Sequence, residues 1–196
     1  MERAEIMAWR RERRAALIEA RRTMSVTAYN AASASITKSL AELLVAERGK
    51  CVGFYWPFRR EYNAVPAIER HIEAGGSAAL PVVVGKKQPL EFRPWHKGVR
   101  MDTGVYDIPF PADGPPVRPD VLVVALVGFD ERCYRLGYGG GFYDITLAQE
   151  PRPRTIAVGF ELGAMETIYP LGHDIPMDVV VTEARVRRAS LVAPPP

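Results

Sequence analysis

The sequence predicts an α/β protein, a single three-layer α/β/α domain with a mixed, mostly parallel, Rossmann-like sheet. The apolar run of Val, Leu and Ala over residues 121–127 is typical of a strand covered on both faces. Other short apolar runs alternate along the chain with segments of helical character, which is the pattern of βα units. At 196 residues with 47% hydrophobic content, the chain suits one sizeable core. We therefore expect residues 1–196 to form one domain, ending in a short proline-rich tail at 193–196.

Helices are predicted from composition, capping residues and helix breakers. They cover residues 3–23, 65–74 and 143–149, and a further helix runs from a cap at Ser25 or Thr27 to about residue 48. His71 lies among charged residues of its helix, so we expect its side chain to be solvated. The first helix carries seven arginines, most of which we expect to form a solvated face.

Strands are predicted over residues 50–56, 78–84, 90–95, 121–127, 155–160 and 178–182. Five prolines within 109–119 indicate an extended linker that leads into the central strand. Ligands of α/β proteins bind at the carboxyl ends of the strands. The segments that follow the first and the central strand are therefore the candidate ligand sites.

Charge and cysteine content limit the classes of function. Lys and Arg number 26 against 23 Asp and Glu, and this net charge of +3 suits a small anionic ligand without establishing nucleic-acid binding. Cys51 and Cys133 have no CxxC spacing, which argues against disulfides and zinc and for a reducing compartment. No apolar run is long enough to span a bilayer, and no signal-type segment follows the basic start. We expect a soluble, cytoplasmic monomer that binds neither nucleic acid nor membrane.

A cluster of glycines follows the central strand. Gly137, Gly139, Gly140 and Gly141 put four glycines in five positions, so the backbone can take positive φ and approach an anion closely. The cluster is not a P-loop, because no Lys-Ser or Lys-Thr pair follows its last glycine. It is not the dinucleotide fingerprint either, because Phe142 stands where the third glycine belongs. An NAD-dependent oxidoreductase is therefore disfavoured.

The segment 135–144, RLGYGGGFYD, resembles the signature RLGxGxGYYD of the 5-formyltetrahydrofolate cyclo-ligase (5,10-methenyltetrahydrofolate synthetase) family. Its lead-in at 127–130 is similar to the strand end and GFD-like turn that precede the signature. The resemblance spans essentially the whole chain and is sharpest over 128–144. It implies an enzyme that uses ATP and Mg²⁺ to close 5-formyltetrahydrofolate to 5,10-methenyltetrahydrofolate. ADP and phosphate are released, by way of a phosphorylated formyl intermediate.

The resemblance implies an ATP site between the first helix and the glycine cluster. Arg10 and Arg14 are four residues apart on one helix face, so both can reach one polyphosphate, and Arg10 replaces the usual Lys. We expect both to converge with Arg135 on the phosphates, because a polyphosphate needs several cations. The expected ATP-binding residues are Arg10, Arg14, Arg135, Gly137, Tyr138, Gly139, Gly140, Gly141, Phe142 and Tyr143. Arg135 and Tyr143 are also the expected catalytic residues.

The resemblance places the folate at the end of the first strand. Trp56 aligns with a residue that lines the folate pocket of the family, and Glu61 with a glutamate that contacts the pterin. A carboxylate suits this contact because it accepts two parallel hydrogen bonds from a 2-amino-pyrimidinone edge. Without the resemblance, core packing of Trp56 and an exposed loop charge at Glu61 would be the better interpretations. The expected substrate-binding residues are Trp56, Glu61, Tyr138 and Phe142.

Magnesium is expected because ATP is used as its magnesium complex, and Mg²⁺ prefers oxygen ligands. Asp144 is the first candidate ligand, since it ends the glycine segment and so lies beside the phosphates. Asp174 is the second, in a segment similar to the family's P-x-x-HD, with capping of a turn as its alternative role. His173 is not expected to bind a hard cation.

Several positions depart from the family pattern. Phe142 stands where Tyr is usual, Ile145 where Arg is frequent and Ala164 where Gln is expected, and loss of a phenol hydroxyl at Phe142 keeps the stacking surface. These departures leave a non-catalytic folate- or nucleotide-binding paralogue as the alternative function. A nucleic-acid-binding module would rest on the arginines of the first helix alone.

Overall fold

The computed structural model describes residues 1–189, and the predicted tail at 193–196 lies outside them. The chain order of its elements is α1 (Arg3–Thr23), α2 (Val26–Val45), β1 (Cys51–Gly53), α3 (Val65–Glu73), β2 (Ser77–Val82), β3 (Glu91–Trp95), β4 (Met101–Thr103), a 3-10 turn (Val105–Asp107), β5 (Pro109–Pro111), β6 (Val121–Ala125), β7 (Gly128–Phe129), β8 (Arg135–Leu136), α4 (Phe142–Leu147), β9 (Arg154–Val158), a second 3-10 turn (Glu161–Gly163), β10 (Val179–Val181) and β11 (Val186–Arg188). No helix in this part of the chain is both long and apolar enough to cross a membrane.

A seven-stranded sheet in the order β11-β10-β9-β6-β1-β2-β3 forms the centre of the fold. The five inner strands run parallel to one another, and the two edge strands β3 and β11 are antiparallel to their neighbours. The apolar strand β6 lies in the middle, where both of its faces are covered. This confirms the predicted α/β fold with a mixed, mostly parallel sheet.

Helices pack on both faces of the sheet. On one face, α2 inserts a stripe of Ile36, Leu40 and Leu44, which are spaced four residues apart, and α3 packs beside it. On the other face, Leu147 of α4 joins the inward side chains of the strands and the β7–β8 hairpin. The α2 cap at Ser25 forms as predicted, since its hydroxyl accepts from the Ala28 N–H at 3.1 Å.

The arginine-rich helix α1 is held by polar contacts. Its two buried side chains are Arg10 and Arg21, and both donate to backbone carbonyls of loops that lie elsewhere in the sequence. Arg60 in turn donates to the carbonyls of Arg22 and Met24 at the end of the helix, at 2.7 and 2.8 Å. These contacts fix α1 across the carboxyl edge of the sheet.

His71 is buried, with 4% of its surface exposed, so the prediction of a solvated side chain is wrong. Its Nε2 atom lies 3.0 Å from the carbonyl of Lys50. Gly76 makes room for the ring, because a Cβ there would lie 2.1 Å from Nε2. The charged residues beside His71 in the sequence do not indicate its contact with Lys50, which is 21 positions away.

The segment predicted as an extended linker begins with the second strand of an additional hairpin. Strand β5 pairs with β4, with Met101 opposite Pro111 and Thr103 opposite Pro109. Prolines are tolerated here because the pair stands apart from the main sheet. The tip of the hairpin exposes Tyr106, which adopts a left-handed conformation with φ of 63°.

Candidate active site

A cleft of about 610 Å³ opens at the carboxyl edge of the parallel strands. Tyr55 and Trp56 follow β1, Val83 follows β2 and Ala125 ends β6, and all four line it. Its other walls come from α1, the glycine loop 137–141 and the β4–β5 hairpin. Every residue that the sequence predicts for the site lines this cleft: Arg10, Arg14, Trp56, Glu61, Arg135, Gly137, Tyr138, Gly139, Gly140, Gly141, Phe142, Tyr143, Asp144 and Asp174.

The glycine loop begins directly after the β7–β8 hairpin, whose register pairs Phe129 with Arg135. Gly139 and Gly141 have φ values of 92° and 71°, a region that side-chain-bearing residues rarely adopt. Gly141 is also the residue before α4, so the chain turns sharply from loop to helix there. The glycines are therefore required by the path of the backbone, which leaves one side of the loop open to the cleft.

Arg14 lies against the glycine loop. Its Nε atom donates to the carbonyl of Gly137 at 2.6 Å, and its guanidinium is 3.3 Å from where a Cβ of Gly139 would be. Burial lowers the pKa of Arg14, and the charge of neighbouring Arg10 lowers it further. No carboxylate forms a salt bridge with Arg14 in the described part of the chain. This half-buried cation beside open glycine backbone is suited to an anion.

Buried Arg135 forms an ion pair with the partly buried Asp144 at the start of α4. The Nη1 atom of Arg135 donates to Oδ1 of Asp144 at 3.0 Å, and the same oxygen accepts from the Ile175 N–H at 3.2 Å. The other oxygen of Asp144 has no hydrogen-bond partner among residues 1–189. The Arg135 guanidinium lies 5.8 Å from the ring centre of Tyr143, whose pKa is raised well above its usual value by burial. Tyr143 is thus a neutral phenol throughout the working pH range.

Arg10 is held by contacts with the loop 168–174. Its guanidinium forms a two-pronged pair with Asp174, at 2.6 and 3.3 Å, and also donates to the carbonyls of Ile168 and Tyr169. The Leu171 N–H donates to the same carboxylate at 2.6 Å, so both oxygens of Asp174 are engaged. In this state Arg10 anchors the loop 168–174 to α1, and its phosphate contact stays a prediction.

This edge of the cleft offers only one or two carboxylates to a magnesium ion. Among residues 1–189, no group of three or more His, Cys, Asp or Glu side chains is arranged to hold a metal. Mg²⁺ bound to nucleotide phosphates commonly takes only one or two carboxylates from the protein. Asp144, with one free oxygen beside the glycine loop, fits that requirement, whereas Asp174 would have to give up an existing contact.

Glu61 is buried in the opposite wall of the cleft, with 5% of its surface exposed. Burial raises its pKa to about 7, although the Phe58 N–H, the charge of Arg21 and the Tyr138 hydroxyl act to lower it. The Phe58 N–H donates to Oε2 at 2.9 Å, which fixes the carboxyl group relative to the loop that follows β1. Trp56 is half-buried in the same loop. This wall offers an acceptor pair and an aromatic surface.

Several cleft residues were not identified from the sequence. The hairpin contributes Tyr106, Ile108 and Phe110 to the lining, and its pairing has no strong local signal. Arg21 lies buried behind the cleft, where its Nη2 atom donates to the Tyr138 hydroxyl at 2.5 Å. Its position, seven residues after Arg14, puts it on the same helix face, and this spacing was available in the sequence.

Comparisons with known proteins agree with this arrangement. The model of the 5-formyltetrahydrofolate cyclo-ligase family matches residues 6–183. The 5-formyltetrahydrofolate cyclo-ligase of Escherichia coli K12 is 33% identical over 143 residues, which is 69% of this chain and 79% of that enzyme. The enzyme of the same name from Mycolicibacterium smegmatis is 27% identical, over 88% of this chain and 92% of the relative.

Solved structures are similar over almost the whole chain. An NMR structure of the 5,10-methenyltetrahydrofolate synthetase of Aquifex aeolicus superposes with a TM-score of 0.80 and 26% identity, covering 95% of this chain and 96% of that one. The 5,10-methenyltetrahydrofolate synthetase of Mycoplasma pneumoniae has a TM-score of 0.72 and 18% identity, covering 89% and 98%, and supports the fold alone.

Proposed function

The chain belongs to the 5-formyltetrahydrofolate cyclo-ligase family, and we propose that it catalyses the ATP-dependent cyclisation of 5-formyltetrahydrofolate to 5,10-methenyltetrahydrofolate, with release of ADP and phosphate. The observation that carries this proposal is that one cleft contains two features, each suited to one of the two substrates. One is Arg14, which lies against the glycine loop and forms no salt bridge within residues 1–189, and the other is a buried carboxyl group with an aromatic neighbour. The first suits a polyphosphate and the second a pterin.

The phosphates of ATP bind to the glycine loop in this proposal. Arg14 supplies a positive charge at the Gly137 end of the loop. The guanidinium of Arg135 lies at the other end of the loop, where it pairs with Asp144. The N–H groups of Gly139 to Gly141 suit an anion because these residues carry no side chains of their own. Arg10 joins the site only if the phosphates displace part of its contact with Asp174. Its role is therefore that of a second arginine recruited on binding.

The chemical step begins with the formyl oxygen on N5, which attacks the γ-phosphorus of ATP while ADP leaves. The formyl carbon then carries a phosphate and an iminium bond to N5, and N10 attacks that carbon. Loss of phosphate and of the N10 proton yields the methenyl bridge. Every step is driven by positioning and by neutralisation of phosphate charge, so Arg14 and Arg135 are the residues that matter most.

Magnesium would be held by the free oxygen of Asp144 together with phosphate oxygens and water, and when bound it neutralises charge on the transferred phosphoryl group. Asp174 is a weaker candidate because both of its oxygens are engaged. The ion pair with Arg135, at 3.0 Å, fixes the Asp144 carboxylate at the start of α4. Tyr143, a neutral phenol stacked near Arg135, positions that guanidinium.

The pterin binds against Glu61 and Trp56, with Tyr138 and Phe142 between the two halves of the cleft. The carboxylate form of Glu61 accepts from the 2-amino group and N3 of the pterin, since two parallel donors match two carboxylate oxygens. Because burial holds the pKa of Glu61 near 7, we expect the Michaelis constant for the folate to rise as the pH falls below 7.

The direct test is to mix the protein with 5-formyltetrahydrofolate, ATP and Mg²⁺ and to follow the absorbance of the methenyl product. The proposal requires product only when all three are present, with little product from Arg14→Ala and Glu61→Gln. Arg11→Ala serves as the matched control, because Arg11 is an exposed arginine on the same helix. Absence of product with the parent protein, together with binding of both ligands, would favour the non-catalytic paralogue. A monomeric state and a cytoplasmic location remain predictions from the sequence.

A further inference from the structure

Arg21 is an unusual residue for the interior of a small domain. Only 3% of its surface is exposed, and no carboxylate within residues 1–189 forms a salt bridge with it. Its two hydrogen bonds run to neutral acceptors, the Tyr138 hydroxyl at 2.5 Å and the Arg59 carbonyl at 3.1 Å. A buried charge is costly unless something nearby compensates it, so the surroundings of Arg21 must contain a negative partner.

That partner is Glu61, a buried residue two positions after Arg59, whose carbonyl accepts from Arg21 at 3.1 Å. The charge of Arg21 lowers the pKa of Glu61, and it is the one formal charge among the described residues that does so. The other groups that face Glu61 are Tyr138 of the glycine loop, Tyr143 of α4 and Tyr55, which follows β1. Burial raises the pKa of all three phenols, so they stay neutral, and a phenol has no cationic form that could replace Arg21.

The geometry links Arg21 to both ligand sites. Tyr138 belongs to the glycine loop, and its ring lies 6.0 Å from that of Phe58, whose N–H holds the Glu61 carboxyl group. The Arg59 carbonyl belongs to a turn in which Arg59 and Arg60 both have positive φ, at 47° and 57°. One guanidinium therefore fixes the loop on the nucleotide side and the turn on the folate side.

We propose that Arg21 is a positioning residue for the folate half of the site: it supplies the positive charge that Glu61 needs in its buried position and fixes Tyr138 against it. This inference rests on the proposed function for the role of Glu61 in substrate binding. A purely structural role is already filled by Arg60, which latches the same turn to the carbonyls at the end of α1. Because Arg60 already holds the turn in place, we assign to Arg21 the supply of positive charge.

The test measures the titration of Glu61 without any ligand. In protein carrying ¹³C-labelled glutamate, the side-chain carboxyl signal of Glu61 is identified by its loss in Glu61→Gln and followed from about pH 5 to pH 9. Arg21→Met raises the midpoint by about one pH unit or more, since a desolvated carboxyl group loses the one formal charge that lowers its pKa. Arg21→Lys returns the midpoint toward that of the parent protein. Arg60→Met is the control and leaves the midpoint in place.

Kinetics give a second readout. At neutral pH a midpoint shift of this size leaves about one fifth of the ionised Glu61 of the parent, so the Michaelis constant for the folate rises about fivefold in Arg21→Met. The difference between the two proteins in the Michaelis constant for the folate becomes smaller toward about pH 9, where Glu61 is ionised in both. The Michaelis constant for ATP changes less than that for the folate. Tyr138→Phe raises the midpoint by a smaller amount.

Two results would overturn the proposal. One is a Glu61 midpoint in Arg21→Met within about 0.3 of the parent value, against the shift of about one unit expected for loss of the Arg21 charge. The other is an equal shift in Arg60→Met. If Arg21→Met does not fold, Arg21→Lys decides. A Glu61 midpoint that lies about one pH unit above the parent value in Arg21→Lys, which keeps the positive charge, refutes the role of charge. If the parent protein forms no product, the proposed function fails while the titration still decides the role of Arg21.

Discussion

Replacement of Glu61 by Gln should stabilise the protein at alkaline pH while it abolishes tight folate binding. Gln has nearly the same shape as Glu and keeps an oxygen that can accept from the Phe58 N–H at the Oε2 position. It removes only the ability to ionise in a site where 5% of the side chain is exposed. The folded state of the parent protein has to hold a carboxylate there, and the variant does not.

The size of the effect follows from the pKa. Burial raises the pKa of Glu61 from 4.5 to about 7, so between these values the folded chain holds a proton that the unfolded chain has lost. The free energy of unfolding of the parent therefore falls as the pH rises through this window. A difference of about 2.5 in pKa corresponds to about 3 kcal/mol. The free energy of unfolding of Glu61→Gln, measured relative to that of the parent, should therefore be higher above about pH 8 than at about pH 4 by about 3 kcal/mol.

Urea denaturation followed by tryptophan fluorescence at about pH 4, 6 and 8.5 measures this difference directly. Glu161→Gln is the control with the opposite sign. Burial acts to raise the pKa of Glu161, but hydrogen bonds from Arg185 and Thr182 bring it below its usual value, so this carboxylate stabilises the fold above that value. If the stability of Glu61→Gln relative to the parent is the same at all three pH values, the assignment of a raised pKa to Glu61 is wrong.

Three further changes test the nucleotide side. Arg135→Ala should raise the Michaelis constant for ATP and lower kcat by about tenfold or more, since a charge-assisted contact to phosphate is lost, and unchanged kinetics would contradict the assigned role. Asp144→Asn should demand much more Mg²⁺ for activity, whereas Asp174→Asn should do so mildly; magnesium titrations that overlay the parent curve would remove both from the metal site. Gly139→Ala should weaken ATP binding without weakening folate binding, because φ of 92° is strained for Ala and its Cβ would lie 3.3 Å from Arg14; equal loss of both ligands in calorimetry would indicate misfolding instead.

The sequence predicted the sheet and the glycine loop because their determinants are local. The run over β6 reports burial on both faces, and the cluster from Gly137 to Gly141 reports a backbone that needs positive φ. The two halves of the cleft follow from the rule that ligands bind where parallel strands end. The family resemblance then gave individual residues, and all of them line the cleft.

The features that the sequence did not predict depend mostly on contacts between residues that are distant in sequence. The pairing of Arg10 with Asp174 spans 164 positions, and no local pattern indicates it. Burial of His71 depends on the carbonyl of Lys50 and on the absence of a Cβ at Gly76, which belongs to the turn after the helix. The β4–β5 hairpin is a two-stranded element rich in proline, where strand propensity gives no signal. Arg21 differs, since its spacing from Arg14 already placed it on the cleft face of α1.

The fate of the formyl oxygen tests the proposed reaction most directly. The protein is given 5-formyltetrahydrofolate labelled with ¹⁸O in the formyl group, together with ATP and Mg²⁺, and the phosphate that forms is analysed by mass spectrometry. If the γ-phosphoryl group is transferred to the formyl oxygen in this cleft, one ¹⁸O atom appears in each phosphate released, in step with the methenyl product. Methenyl product accompanied by unlabelled phosphate, with the ¹⁸O in water, would contradict phosphoryl transfer to the substrate.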